Sequence, residues 1–287
     1  MTAIYSISLR LPLTSPILTN QLTQETITAV IPAFNDQPGL THTLAELDHL
    51  NLEKIIVVDD GSANPMALPA SINTPTMLIR HSANKGAAAA RNTGVAAVTS
   101  DWVYFTDCGC SPSQSLVKSF IHQWNMSKAH TIAIAGPVEA QTGGRLAYYY
   151  THQGILNAPM FVNGRGEIEV EAIITANALI YRKAIEAVGG FDETFLSAGG
   201  EDTDLGIRLR TVGNIEWCST ATVIHAFKEC LTDFDSRMLR YGRGMRRVSD
   251  KFGFDLCPRP FTPFDSLYTD LADRQYHNML IGFSENR

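Results

Sequence analysis

Cysteine is scarce and unpaired in this chain: Cys108, Cys110, Cys218, Cys230 and Cys257 are five in number and form no Cys-x-x-Cys. That usage excludes a zinc ribbon and argues against a disulfide framework, and it suits reduced thiols in a cytoplasmic protein. No stretch approaches the ~18 consecutive apolar residues of a membrane span. The N-terminus has no basic cluster ahead of an apolar core, so no leader is expected there. Positive charge is also in deficit, with 23 Lys and Arg against 29 Asp and Glu and a net charge of -6. Binding to a phosphate backbone calls for a basic surface, so no nucleic-acid partner is expected. A glycine-rich turn is missing after the first apolar run, where Ile31-Pro32-Ala33-Phe34 stands. Its absence excludes a Gly-x-Gly-x-x-Gly dinucleotide oxidoreductase and weighs against a nucleotidyltransferase. What remains is a 287-residue chain, 45% hydrophobic and 18% charged, long enough for one large core without covalent staples.

Within it, apolar runs repeatedly stop at carboxylates. Ile27 to Pro32 reads as a strand closed by Phe34-Asn35-Asp36, and Leu40, Leu44, Leu47 and Leu50 follow at helical spacing. Lys54 to Val58 gives a second strand ending in Asp59-Asp60-Gly61-Ser62. Met77 to Ile79 gives a third, after which Asn84-Lys85-Gly86 opens an alanine-rich helix carrying Arg91. Val103-Tyr104-Phe105 is a fourth strand, ending at Asp107-Cys108-Gly109-Cys110, with a helix expected to start near Pro112 and to run around Leu116 to Trp124. Strands alternating with helices imply a mostly parallel α/β sheet with helices on both faces, and ligands collect beyond the carboxyl ends of such strands. Asp107 is therefore the anchor of the expected site. Residues 139 to 175, with Tyr148-Tyr149-Tyr150, Gly164 and Gly166, show weak periodicity and are expected to be variable and partly loop-like. Beyond them Thr175 to Tyr181, which includes Asn177, reads as a strand, Gly199-Gly200 precedes a helix with Glu201 and Asp202 in its first turn, and His225 ends a strand-like run. Residues 1–25, with Ile7, Leu9 and Leu11 alternating against polar neighbours, suggest an added edge strand.

Pro32 to Asn35, Asp59 to Ser62, Asn84 to Gly94, Asp107 to Gly109, Gly189 to Glu193, and Glu201 with Asp202 occur in a fixed order over residues 27–228. In that order they resemble the motifs of the family 2 glycosyltransferases of the GT-A fold. The resemblance implies a Rossmann-like GT-A domain over residues 26–228 with a helical extension over 229–287. It implies transfer, with inversion, of a sugar from a nucleoside-diphosphate donor, a UDP-sugar first, to an acceptor that the motifs do not name. Phe34, Asp59 and Asp60 would line the base and ribose pocket, with Lys85 and Arg91 nearby. Asp107 and His225 would hold Mn2+ or Mg2+ beside the diphosphate, and Asp202 would be the general base with Glu201 as its neighbour. Pro32, Asn35, Cys108, Gly109, Asn177 and Gly200 complete the expected substrate contacts.

One departure bears on mechanism. Where the family pattern carries a second metal-site aspartate, this chain has Gly109, which weakens the expected hold on a hard cation. A catalytically weakened sugar-nucleotide-binding protein or partner subunit is therefore the rival reading. In the extension, Phe234, Met238, Tyr241, Met245, Val248 and Phe252 form an apolar stripe over residues 233–252, flanked by Arg237, Arg240, Arg243, Arg247 and Lys251. Such a basic amphipathic helix could meet an anionic surface or acceptor, although a face packed on the core is the commoner role.

Overall fold

The computed structural model describes residues 20–141, 143–162 and 168–285, apart from the side chains of Phe161 and Val162. The expected edge strand around Ile7 to Leu11, and Gly164 with Gly166, lie outside the described residues. The chain runs β1 (Ile27–Ala33), α1 (Gln37–Leu47), β2 (Lys54–Asp59), β3 (Thr76–Arg80), α2 (Ala87–Ala96) and β4 (Trp102–Phe105). It continues through β5 (Cys110–Pro112), α3 (Leu116–Met126), β6 (Thr131–Ala135), β7 (Val138–Ala140), α4 (Arg145–Gln153), β8 (Met160–Val162), β9 (Ile168–Val170) and β10 (Ala178–Tyr181). Then come α5 (Arg182–Ala187), α6 (Glu201–Leu209), β11 (Asn214–Trp217), β12 (Val223–His225), α7 (Leu231–Phe252) and α8 (Thr269–Ser284).

Seven strands form the main sheet in the order β11-β6-β10-β4-β1-β2-β3. All neighbours are parallel except β10, which runs antiparallel to both β4 and β6. Central strands covered on both faces are apolar throughout, and Ile55, Ile56, Val57 and Val58 are accordingly fully buried. The chain moves outward from β1 through β2 to β3 on one side and places β4 on the other, so strand order reverses beside β1. The carboxyl ends of β1, β2 and β4 meet at that reversal, with Ala33 opposite Asp59 and Val30 opposite Phe105. A second, three-stranded sheet, β5-β12-β7, sets His225 opposite both Cys110 and Ala140. It thereby carries His225 to the turn that follows β4.

One expectation shifts. Pro112 ends the short strand β5, because Val223 pairs with it across the small sheet, and the helix expected around Leu116 to Trp124 follows as α3. Among the described residues of 139–175, Tyr148, Tyr149 and Tyr150 lie on α4, whose first turn is capped by the Glu229 carboxylate accepting from Leu146 N and Ala147 N at 3.0 and 2.7 Å. The cap comes from a residue far along the chain, so local periodicity carries no trace of it. In α7 the apolar stripe packs inward, with Phe234, Met238 and Val248 buried. Helix α8 crosses it closely, since a Cβ on Gly242 would stand 2.0 Å from Met279 O and one on Gly282 2.1 Å from Leu239 O.

Candidate active site

Three strand ends build one side of the site. After β1, Phe34 is 48% exposed and Asn35 takes a left-handed conformation (φ +53°). The Asn35 amide donates to Ser62 Oγ at 2.8 Å, and Asn35 Oδ1 accepts from Ala63 N at 2.9 Å, tying the β1 and β2 loops together. After β2, Asp59 is fully buried: it accepts from Ser62 N and Met66 N and pairs with Arg80. These bonds hold its carboxyl below the ordinary range against the opposing cost of burial. Asp60 accepts from Lys85 N at 2.9 Å and Gly86 N at 2.8 Å, and faces His81 Nδ1 at 2.7 Å. Both acids thus shape the loops, while Phe34 and the exposed Lys85 remain open to a bound molecule. Asn177 is likewise framework: 1% exposed, it donates through Nδ2 to the carbonyls of Pro137 and Ala221.

The β4 end supplies the centre. Asp107 keeps 29% side-chain exposure, and its Oδ1 accepts from Arg91 Nη2 at 2.9 Å. Arg91 is itself buried and extends Nη1 to Glu201 Oε1 at 2.9 Å, so one guanidinium links the strand end to the start of α6. Gly109, at φ +81°, turns the chain where a side-chain-bearing residue would be strained. Its N–H donates to Gly39 O at 3.2 Å and its carbonyl accepts from Ala226 N at 2.9 Å. Cys108 Sγ leans toward Pro32 O at 3.7 Å. Burial pushes the Cys110 thiol up to about 12 and the Cys108 thiol upward as well, so neither offers a thiolate near neutrality.

The start of α6 faces this centre. Gly200, at φ +94°, leads into Glu201, which is spent: Oε1 is on Arg91 and Oε2 accepts from Gly199 N at 2.6 Å. Asp202 is only partly buried and has one internal bond, from Thr203 N to Oδ1 at 2.8 Å. Desolvation, reinforced by the negative charge of Glu201 and opposed by Arg91, pushes the Asp202 carboxyl up to about 7. Asp204, the other acid of that turn, is fully buried between Arg208 and Lys251.

Residues 28–189, more than half of the chain, match the family model described as glycosyl transferase family 2. The chain belongs to this family. Residues 163–226 also match a model described as the N-terminal domain of galactosyltransferase. A pre-mycofactocin glycosyltransferase from Mycobacterium tuberculosis is 33% identical over 229 residues, covering 75% of this chain and 46% of that protein. The chain thus matches just under half the length of that relative. Among solved structures, a mannosyltransferase of Pyrobaculum calidifontis in complex with GDP-Man and Mn2+ superposes with a TM-score of 0.56 at 16% identity, over 96% of this chain and 75% of that one. GalNAc-T7 with UDP, GalNAc and Mn2+ gives 0.58 at 15% identity, over 90% and 55%. The fold is GT-A.

For a family 2 protein, the donor set around Asp107 fits a loosely held divalent ion. His225 Nδ1 lies 2.9 Å from Ala226 O, and since a carbonyl only accepts, Nδ1 carries the proton and Nε2 keeps its lone pair. Burial lowers the His225 pKa, which favours the neutral ring that a metal requires. Asp107 Oδ2 has no partner among the described residues. No group of three or more His, Cys, Asp or Glu among those residues forms a ready metal site, in keeping with glycine at 109.

The basic stripe of α7 is largely consumed inside the molecule. Arg240 donates to Ala198 O at 2.9 Å, Arg247 to Thr194 O, and Lys251 bridges Asp192 and Asp204, at 2.6 Å each. Arg243 pairs with Glu285. The face proposed for an anionic surface is therefore mostly a clamp on residues 192–200. Sequence reasoning did not single out Arg80 and His81; Arg80 ends β3 and His81 follows it, where the same strand-end rule would have pointed to them. No helix among the described residues is long and apolar enough to cross a membrane.

Proposed function

We propose that the chain is an inverting glycosyltransferase that moves a sugar from a nucleoside-diphosphate donor, a UDP-sugar first, to a hydroxyl acceptor. The observation that carries this reading is Asp202: its carboxyl has a free oxygen and a pKa raised to about 7, next to a buried Glu201 that cannot share the role. A general base works best when its pKa lies near the operating pH. As the acceptor oxygen attacks the anomeric carbon, Asp202 takes its proton and the diphosphate departs from the opposite side. Phe34 offers a ring to the base, and the loops tied by Asp59 and Asp60 shape the nucleotide pocket. Asp107 and His225 would hold Mn2+ or Mg2+, whose charge would stabilise the leaving diphosphate. With two protein ligands, such an ion depends on the donor's phosphates for its remaining coordination.

Support comes from three solved neighbours whose described contents include GDP-Man with Mn2+, UDP and GalNAc with Mn2+, and UDP. The rival, a binding protein without transfer, is favoured by Gly109 alone. Incubating the full chain with UDP- and GDP-sugars, with and without Mn2+, and following release of nucleoside diphosphate separates them. Metal-dependent release with an inverted product anomer supports the proposal. Donor binding without turnover across the panel would support the rival, and a retained anomer would reject the base assigned to Asp202.

A further inference from the structure

Arg237 stands apart from the other basic residues of α7. Arg240, Arg243, Arg247 and Lys251 each have a partner, whereas Arg237 forms no ion pair with a carboxylate among the described residues. Its Nε is buried and has no hydrogen-bond partner. Its polar partners are phenols: burial opposes its charge, while hydrogen bonds to the Tyr241 and Tyr150 hydroxyls favour it and leave its pKa raised. Phenols supply hydrogen bonds but no countercharge, so this half-buried guanidinium remains a strong electrostatic partner for an arriving anion.

Its position is fixed by stacking. The guanidinium carbon lies 4.4 Å from the centre of the Phe227 ring and 5.7 Å from that of Tyr150. Phe227 in turn stacks on His225, with centroids 4.1 Å apart and planes 6° from parallel, and on Tyr150 at 4.9 Å. His225 borders the Asp107 turn, since a Cβ on Gly109 would lie 3.9 Å from His225 Cε1. The layers His225, Phe227 and Arg237 therefore lead from the proposed metal ligands to a planar cation that has no carboxylate partner among the described residues. Arginine suits this place better than lysine, because it stacks on rings and still presents a fork of donors to phosphate oxygens.

We propose that Arg237 binds the donor's diphosphate and supplies part of the charge compensation that the chain gives up by carrying glycine at 109; this inference rests on the glycosyl-transfer reading. The side chain donates hydrogen bonds to phosphate oxygens and stabilises the negative charge that the leaving diphosphate gains as the glycosidic bond breaks. Because Arg237 sits on α7, beyond both matched regions, it would set this chain's grip on the diphosphate independently of the motifs that define the family.

The test is titration calorimetry of the full chain with UDP and GDP, and with UMP and GMP, at saturating Mn2+, on wild type, Arg237→Gln and Arg237→Lys. Thermal melts of each accompany the titrations. For whichever base the wild type prefers, R237Q should weaken diphosphate binding about 10-fold or more, the scale of one lost charge-assisted bond. Monophosphate binding should change less than twofold. R237K, which keeps the cation without the planar fork, should fall between. Wild-type diphosphate affinity in R237Q overturns the inference, as does equal weakening of mono- and diphosphates, the mark of a merely structural role. Failure of the wild type to bind any nucleoside diphosphate would instead reject the transfer reading, and the inference with it.

Discussion

At residue scale, the contrast between Glu201 and Asp202 organises the chemistry. Adjacent residues on a helix point ~100° apart, and here one carboxylate turns into the Arg91 network while the other keeps an open oxygen. Asp202→Asn preserves volume and removes the base, so transfer should fall by roughly 10²- to 10⁴-fold while donor affinity stays near wild type. Rate measurements on saturating donor check this, and a near wild-type rate would remove Asp202 from the proposed role. The wild-type rate should rise with pH through about 7, as the carboxyl loses its proton. The same group makes a prediction about stability. A carboxyl whose pKa is raised from 3.8 to about 7 binds its proton more tightly in the folded state, so folding stability drops as pH climbs through that interval and stays lower above it. Asn at 202 escapes the penalty. The apo D202N protein should therefore be more stable than wild type at pH 8 by about 1–2 kcal/mol, allowing for partial exposure, and indistinguishable near pH 4. Denaturant melts at both pH values measure the difference, and an equal gain at both would trace it to packing.

At the scale of elements, α7 is a brace for the loop that presents Asp202. Arg240, Gly244, Arg247 and Lys251 recur every three or four residues on one face, and they meet Ala198, Gly199 with Gly200, Thr194 and Asp192 on the loop. The contact is closest at Gly244, where a Cβ would fall 1.9 Å from Gly199 O. Gly244→Ala must push helix and loop apart, at a cost of about 1–3 kcal/mol for overpacking. It should also lower turnover more than donor affinity, because the base shifts while the strand ends do not. Thermal melts and steady-state kinetics read the two effects, and loss of donor affinity without loss of turnover would contradict the brace. Here the limits of sequence reading are visible. The acids after β2 and β4 and the pair Glu201-Asp202 were legible because strand ends and helix starts leave local marks. The apolar stripe from Phe234 to Phe252 was legible through its spacing. The destinations of Arg240, Arg247 and Lys251 were not, since a basic stripe reads alike whether it faces solvent or the carbonyls of a loop some 40 to 60 residues earlier. The burial of Asp59 escaped for the same reason, as its partner Arg80 arrives from the neighbouring strand.

At the scale of the molecule, the question is whether residues 229–287 are an appendage or part of the fold. The resemblance implies a GT-A domain over residues 26–228 followed by a helical extension over 229–287. In the structure, Phe234, Met238, Leu271 and Ala272 are at most 2% exposed and belong to the same buried cluster as the strands of the main sheet. Tyr149 connects the two parts, donating to the buried Gln275 at 2.8 Å and packing edge-on against Phe234. Burying a side chain as large as Phe, Leu or Met contributes roughly 1.5–3 kcal/mol. Phe234, Met238 and Leu271 together therefore account for about 5–9 kcal/mol, comparable to the whole net stability of a typical domain, about 5–15 kcal/mol. A fragment ending at residue 228 would expose α4 aromatics and leave the 192–200 loop without its brace. It should accordingly fail to give a cooperative thermal transition and should bind hydrophobic dye, whereas the full chain melts in one step. If the 1–228 fragment were soluble, melted cooperatively and bound nucleoside diphosphate with full-length affinity, α7 and α8 would be separable, and neither the brace nor an anion contact from Arg237 could stand.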